Sequence, residues 1–222
     1  MKSTIIASIA ALAMLSGCGS SNGDGGWSDL FNKDLSNAEY EQGVWSRNAD
    51  GDLQANKDSI IFSKADYENF EVELEFKMEP NANSGIVVYC TDTKNWIPNS
   101  IEIQISDSDA DAYKNRPAWQ CGAVFGHVAP KFPTGGLTGQ WHKMLVRCKG
   151  QQIDTYLDGK HVSSMDMSKW TDNKKGPDGT VIPEWLTKQK KCEMATKGKV
   201  GLQGKHGKAA CDFRNVKIRP IK

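Results

Sequence analysis

Phe70-Glu71-Val72-Glu73-Leu74-Glu75-Phe76-Lys77-Met78 holds a period of two over its whole length. Phe70, Val72, Leu74, Phe76 and Met78 fall on one face, and Glu71, Glu73, Glu75 and Lys77 on the other. Successive side chains of a strand point to opposite faces. This stretch therefore reads as a half-buried antiparallel strand with a core side and a solvent side. Similar runs occur at 59–62, 85–90, 101–106, 142–148, 152–157, 199–203 and 211–218, separated by turn residues. Leu157-Asp158-Gly159-Lys160 adds a hairpin signal, because Asp-Gly suits the tight primed turns that match strand twist. Long amphipathic helical patterns are absent. The expectation is an all-β sandwich or barrel.

The start of the 222-residue chain has a different character. Lys2 precedes an apolar run from Ile5 to Leu15 and then Ser16-Gly17-Cys18, the layout of a secretory signal peptide. The run is shorter than the about 20 apolar residues that span a bilayer. Leu15-Ser16-Gly17-Cys18 resembles the lipobox of bacterial lipoproteins. The expected organisation is a signal peptide over 1–17, a lipidated Cys18 with a Gly/Ser-rich tether over 18–26, and one domain over 27–222. That places the protein at the bacterial cell envelope, lipid-anchored and facing the periplasm or the cell surface. Loss of 1–17 removes Lys2 alone, leaving 27 basic against 27 acidic side chains, a balance that disfavours nucleic acid as a partner. Cys90, Cys121, Cys148, Cys192 and Cys211 remain. An odd number leaves at least one thiol free, and the pairing cannot be read from the sequence.

Two stretches break the strand rhythm, 107–140 and 163–197, and long loops on a rigid scaffold are where binding groups gather. Trp96, Trp119, Trp170 and Trp185 fall in loops, where indole faces can stack on sugar rings, whereas Trp27, Trp45 and Trp141 lie at strand boundaries and read as core. The run Lys188-Gln189-Lys190-Lys191 reads as a solvated face. In Ile101-Glu102-Ile103-Gln104-Ile105-Ser106-Asp107, Glu102 and Gln104 share one strand face, and Asp107 points the other way unless a bulge intervenes. Further polar candidates are Asn83 at a strand entrance, Tyr89 beyond it, Gln203, Lys205 and His206 near a strand end, and His127 in the loop-rich middle. His142 and His161 read as structural. No transition-metal spacing, nucleophile elbow or phosphate loop is present, and no loop is built convincingly for calcium, so no cofactor is expected.

Taken in order, these motifs resemble the 3-keto-disaccharide hydrolase domain family. The similarity runs from Leu30-Phe31-Asn32-Lys33-Asp34 through Asn83-Ser84-Gly85-Ile86, Glu102-Ile103-Gln104, Gly139-Gln140-Trp141-His142 and Asp158-Gly159. It closes on Gly201-Leu202-Gln203-Gly204-Lys205-His206-Gly207 and Phe213-Arg214-Asn215-Val216. The resemblance implies a concanavalin A-like jelly roll of two antiparallel sheets with a carbohydrate cleft on the concave one. It also implies cleavage of glycosides oxidised at C3, by hydrolysis or base-initiated elimination. In that scheme Glu102 is acid or base and His206 its partner or orienter. Asn83, Gln104 and Gln203 hold hydroxyls or the keto oxygen, and Lys205, His127, Trp119, Trp96 and Tyr89 are further expected sugar contacts from their places in the chain. The chain departs from the family pattern at Tyr89-Cys90, where an arginine is common, and at Gly204-Lys205, which makes the His206 loop one residue longer. The oligomeric state is open. A non-catalytic, lectin-like glycan-binding lipoprotein is the alternative, and an interaction protein using the Lys- and Trp-rich insertion a third.

Overall fold

The computed structural model describes residues 26–222, so the expected signal peptide and Cys18 lie outside it. Every strand pairing is antiparallel, and the strands form two sheets. The larger has eight, ordered β12 (Lys160–Asp166), β11 (Gln152–Leu157), β10 (Trp141–Lys149), β7 (Phe70–Met78), β14 (Cys211–Pro220), β4 (Leu53–Ala55) and β3 (Trp45–Arg47). Its eighth strand, β1 (Ser28–Asp29), also lies along β14, with Ser28 opposite Ile218. The smaller has six, ordered β2 (Ala38–Glu39), β5 (Ile60–Ser63), β13 (Lys197–Gln203), β8 (Asn83–Cys90) and β9 (Ile101–Ser106), with β6 (Tyr67–Glu68) also on β13. The two sheets pack as a jelly-roll sandwich. At the β11–β12 hairpin, Asp158 has φ of 49° and Gly159 φ of 78°. This is the left-handed pair that a type I′ turn demands.

The alternation in β7 does what its sequence suggests. Phe70, Val72, Leu74 and Phe76 are fully buried and meet Ile86, Val88, Ile103, Ile105, Val200 and Leu202 of the other sheet in one core. Its polar face has a surprise: Glu71 is only 1% exposed. Arg147 of β10 and Arg219 of β14 stand opposite it on either side and donate from Nε at 2.6 and 2.7 Å, one to each carboxylate oxygen. Burying a carboxylate is costly unless its lone pairs are met by charged donors, and here both are.

Several side chains depart from their expected places. Trp45 is buried, but Trp141 lies on the outer face of the larger sheet, with Lys77 and Arg214 over its ring at 4.9 and 4.2 Å. Trp27 lies under Arg219 in the same manner. Indole tolerates the surface when a cation covers its face, and this pairing is invisible in a strand-boundary pattern. Trp170 is buried rather than exposed in a loop. Lys191 is 2% exposed, contrary to the solvated face expected for its run, and burial pushes its amine down to about 8. The five cysteines among the described residues are free, four of them buried. Among the described residues, no helix is long and apolar enough to cross a membrane.

Candidate functional site

The site grows out of strand register on the outer face of the smaller sheet. One row across the strands reads Gln104 (β9), Gly85 (β8), Gln203 (β13) and Ile60 (β5). The next reads Glu102, Val87, Gly201 and Phe62. Glycine at the centre of each row lowers the floor, and longer side chains rise on both flanks. With strands about 4.8 Å apart, Gln104 and Gln203 straddle Gly85 at a backbone separation of about 10 Å.

Glu102 lies across that floor. A Cβ at Gly85 would meet Glu102 Cγ at 2.8 Å and Cδ at 3.0 Å, closer than real Cβ contacts allow. Only glycine leaves the carboxyl room to lie there. Glu102 is half-buried, and no hydrogen bond or ion pair reaches its carboxyl from the described residues. Burial, with the charge of Asp58 added, pushes its pKa up to about 8, so the carboxyl is protonated at neutral pH. The two glutamines beside it are also incompletely partnered. Gln104 Nε2 donates to Asn83 Oδ1 at 3.1 Å, which turns Gln104 Oε1 free. Gln203 Oε1 is likewise buried without a donor. Native structures rarely bury acceptors without partners, so two flanking one protonated carboxyl mark a place where a ligand's hydroxyls belong.

His206 stands at the rim, exposed, with Nδ1 2.6 Å from Asp58 Oδ2. Its backbone N–H reaches Asn83 O at 3.3 Å, which ties the loop after β13 to β8. With Nδ1–H donated to Asp58, the Nε2 lone pair is left to accept a proton. Lys205 lies beside it, half-exposed. Asp58 is the residue that sequence reading missed. It sits in the turn before β5, and only the β5–β13 pairing brings it to the site, so no local signal marks it.

Residues 122–125 run along β9 as an irregular extra edge: Gly122 N–H donates to Gln104 O, Gln104 N–H to Ala123 O and Phe125 N–H to Glu102 O, at 2.8, 3.0 and 2.9 Å. This places Phe125 beside Glu102 and brings His127 near it. Trp96, Ser100, Phe125, His127 and Leu186 enclose a chamber at Glu102 of about 10 Å³. That is room for one water. Trp119 lies further out against Phe125 and Trp185. Tyr113, from the 107–120 loop, comes close enough that the Glu102 charge adds to the effect of burial in raising its pKa.

One expected group, Tyr89, falls outside the site. Tyr89 is fully buried between the sheets, its hydroxyl donating to Gly150 O at 2.8 Å and its ring edge-on to Phe70. The β8–β13 register slips between Lys199 and Gly201, and Tyr89 has φ of 56°. This bulge reverses the alternation, so Tyr89 turns inward and Cys90 joins Phe62 and Val87 outside. Asp107 offers no second carboxylate, since its oxygens accept from Asn81 N–H and Asp109 N–H. No cluster of three or more metal-ligating side chains occurs among the described residues.

The model of the 3-keto-alpha-glucoside-1,2-lyase-like domain matches residues 26–219. The chain belongs to that family. A Parabacteroides distasonis protein provisionally named a glycosyl hydrolase is 50% identical, with a TM-score of 0.83 over 88% of this chain and 99% of its own. A second so named, from the same organism, is 20% identical, with a TM-score of 0.67 over 89% of this chain and 94% of its own. The Bacillus subtilis carbohydrate-binding module CBM66, 14% identical, has a TM-score of 0.52 over 82% of this chain and 95% of its own. Matches at such low identity establish the fold alone, one used by glycosyl hydrolase-like and lectin-like proteins. No curated protein matches the chain.

Proposed function

We propose that this protein cleaves 3-keto-glycosides by base-initiated elimination on the outer face of its smaller sheet, and that Cys18 anchors it at the bacterial envelope. The observation that carries the reading is Glu102: an unpaired carboxyl with a pKa of about 8, flanked by the two unpartnered glutamine oxygens. A keto group at C3 acidifies the proton on C2. His206 Nε2, oriented by Asp58, takes that proton. The C2–H electron pair forms a C1=C2 double bond, the C1–O bond breaks, and the departing oxygen takes the proton of Glu102. The products are an enone and a free alcohol, and later addition of water to the enone completes a net hydrolysis. Gln104 and Gln203 accept hydroxyl hydrogens, with Asn83 fixing the Gln104 amide. One protonated carboxyl suffices here, whereas ordinary glycosidases need two carboxyl groups.

The test is release of 4-nitrophenol from its 3-keto-glucoside and from the unoxidised parent. The expected result is release from the keto compound only, reduced about 100-fold or more by Glu102→Gln and by His206→Gln. Binding of both compounds without release, unaffected by Glu102→Gln, would support the glycan-binding alternative instead.

A further inference from the structure

The Glu102 chamber holds about one water, whereas clefts that take a small organic ligand run to about 300 Å³ or more. One of its walls has to give way before a substrate reaches the carboxyl from this side. Phe125 and His127 are tied down by their backbones, Phe125 N–H donating to Glu102 O and His127 N–H to Val124 O, both at 2.9 Å. Just ahead of β9, Ser100 Oγ donates to Trp96 O at 2.7 Å and Thr91 N–H to Asn99 O at 3.1 Å. Leu186 is different. It reaches the chamber from residues 171–189, a stretch bonded mostly to itself: Ile182 N–H donates to Lys174 O, Gly176 N–H to Thr180 O and Asn173 Nδ2 to Thr187 O. Its two ends meet at a neck, where Cys192 N–H donates to Trp170 O at 3.3 Å and Gln151 Nε2 to Cys192 O at 2.8 Å. Ends that close on each other around a self-packed body are the geometry of an Ω-loop.

Among the described residues, the hydrogen bonds that join this loop to its surroundings are Gln189 Nε2 to Pro98 O at 3.2 Å and Lys191 Nζ to Leu186 O at 3.4 Å. The second is a weak hold, because Lys191 is buried with that one long acceptor and gains hydration when the loop lifts. The rest of the hold is apolar. Leu186 and Pro183 sit over Gly126, where a Cβ would meet Leu186 Cδ1 at 2.5 Å, and Trp185 stands edge-on to Trp119 with half its surface exposed. A segment so lightly bonded to its scaffold opens at a fraction of the free energy of global unfolding. We infer that residues 171–189 are a lid hinged at the Trp170–Cys192 neck, whose Leu186 seals the Glu102 chamber when seated and admits the substrate when lifted. Seated, it keeps water from the carboxyl and so favours the protonated acid. The inference rests on Glu102 as the acting acid, but its test needs no substrate, so the lid and the elimination chemistry can fail separately.

The test is alkylation of Ser100→Cys by iodoacetamide, followed by peptide mass so that each thiol is read by itself. Ser100 lines the chamber and is buried. The new thiol is expected to react about 100-fold slower than the partly exposed Cys192, yet faster than the buried Cys121, which is reached only when the core opens. Adding Gln189→Ala is expected to speed it about threefold to tenfold, the effect of one lost hydrogen bond on the opening equilibrium. Gln189 is not part of the chamber wall, so this gain reports movement of the lid rather than a wider hole. Leu186→Ala, which removes the seal itself, is expected to speed labelling further. A new thiol that reacts as fast as Cys192 or as slowly as Cys121, or one that is sped by Leu186→Ala and not by Gln189→Ala, shows a fixed wall and overturns the lid.

Discussion

Glu102 carries its proton to an unusually high pH, and this has two measurable consequences. As the acid of the proposed elimination it must be protonated, so the rate should fall as pH rises through about 8. Folding is linked to the same proton. The native carboxyl titrates near 8 and the unfolded one near 4.5, so between those values the native state binds more protons and stability falls as pH rises. His127, depressed from 6.5 to about 4, has the opposite slope in the acid range, stability being lost as pH falls through that window. Urea midpoints at pH 6.5 and 8 isolate the Glu102 slope, because the His127 window ends near 6.5. Glu102→Gln should narrow the wild-type loss of stability between them, and an unchanged loss would assign the slope elsewhere. At this scale the sequence was partly legible. Glu102 and Gln104 are two apart on a strand, so their common face follows from the period. Asp58 meets His206 across 148 positions through strand pairing alone, and no spacing encodes that.

The elements show where alternation suffices and where it fails. The nine residues of β7 obey it, yet the pattern cannot reveal that Glu71 lies deeper than Glu73 or Glu75, because its burial depends on arginines supplied by β10 and β14. Removing that carboxylate leaves two guanidinium groups facing each other across a central strand. Both arginines are partly exposed and recover water, so Glu71→Ala should cost on the order of 2 kcal/mol in urea unfolding. A cost below about 0.5 kcal/mol would mark the clamp as energetically idle. In β8, one bulge sends Tyr89 to the core and Cys90 to the surface cluster. A strict period misplaces every residue beyond such a slip. Beyond the end of β12 the 167–197 stretch lacks any period, which is why Lys191 and Trp170 read as exposed when both are buried within it.

Across the whole molecule the two outer faces have diverged. The larger sheet presents paired charges and cation-covered indoles, and the smaller presents a protonated carboxyl over a glycine floor, with two donor-less amide oxygens buried beside it. The sandwich is held without covalent staples. Burial raises the thiol pKa of Cys90 to about 11 and of Cys121 to about 12, which keeps the reactive thiolate scarce. Residues 26–222, treated with a thiol reagent, should give about one fast equivalent, from Cys192, and about five after unfolding in denaturant. A lower total would reveal a disulfide. Turn spacing and alternation made an all-β sandwich or barrel legible, and the family resemblance supplied the two sheets. The depth and contents of the cleft were not legible, since they depend on which residues of four separate strands come level.

The pairing of Ser28 with Ile218 has a consequence for how the molecule is held. The chain enters the domain along β14, in the sheet that does not carry Glu102. A handle joined ahead of residue 26, whether lipid, resin or fusion partner, grips the sandwich by its back and leaves the mouth of the cleft turned toward whatever diffuses past.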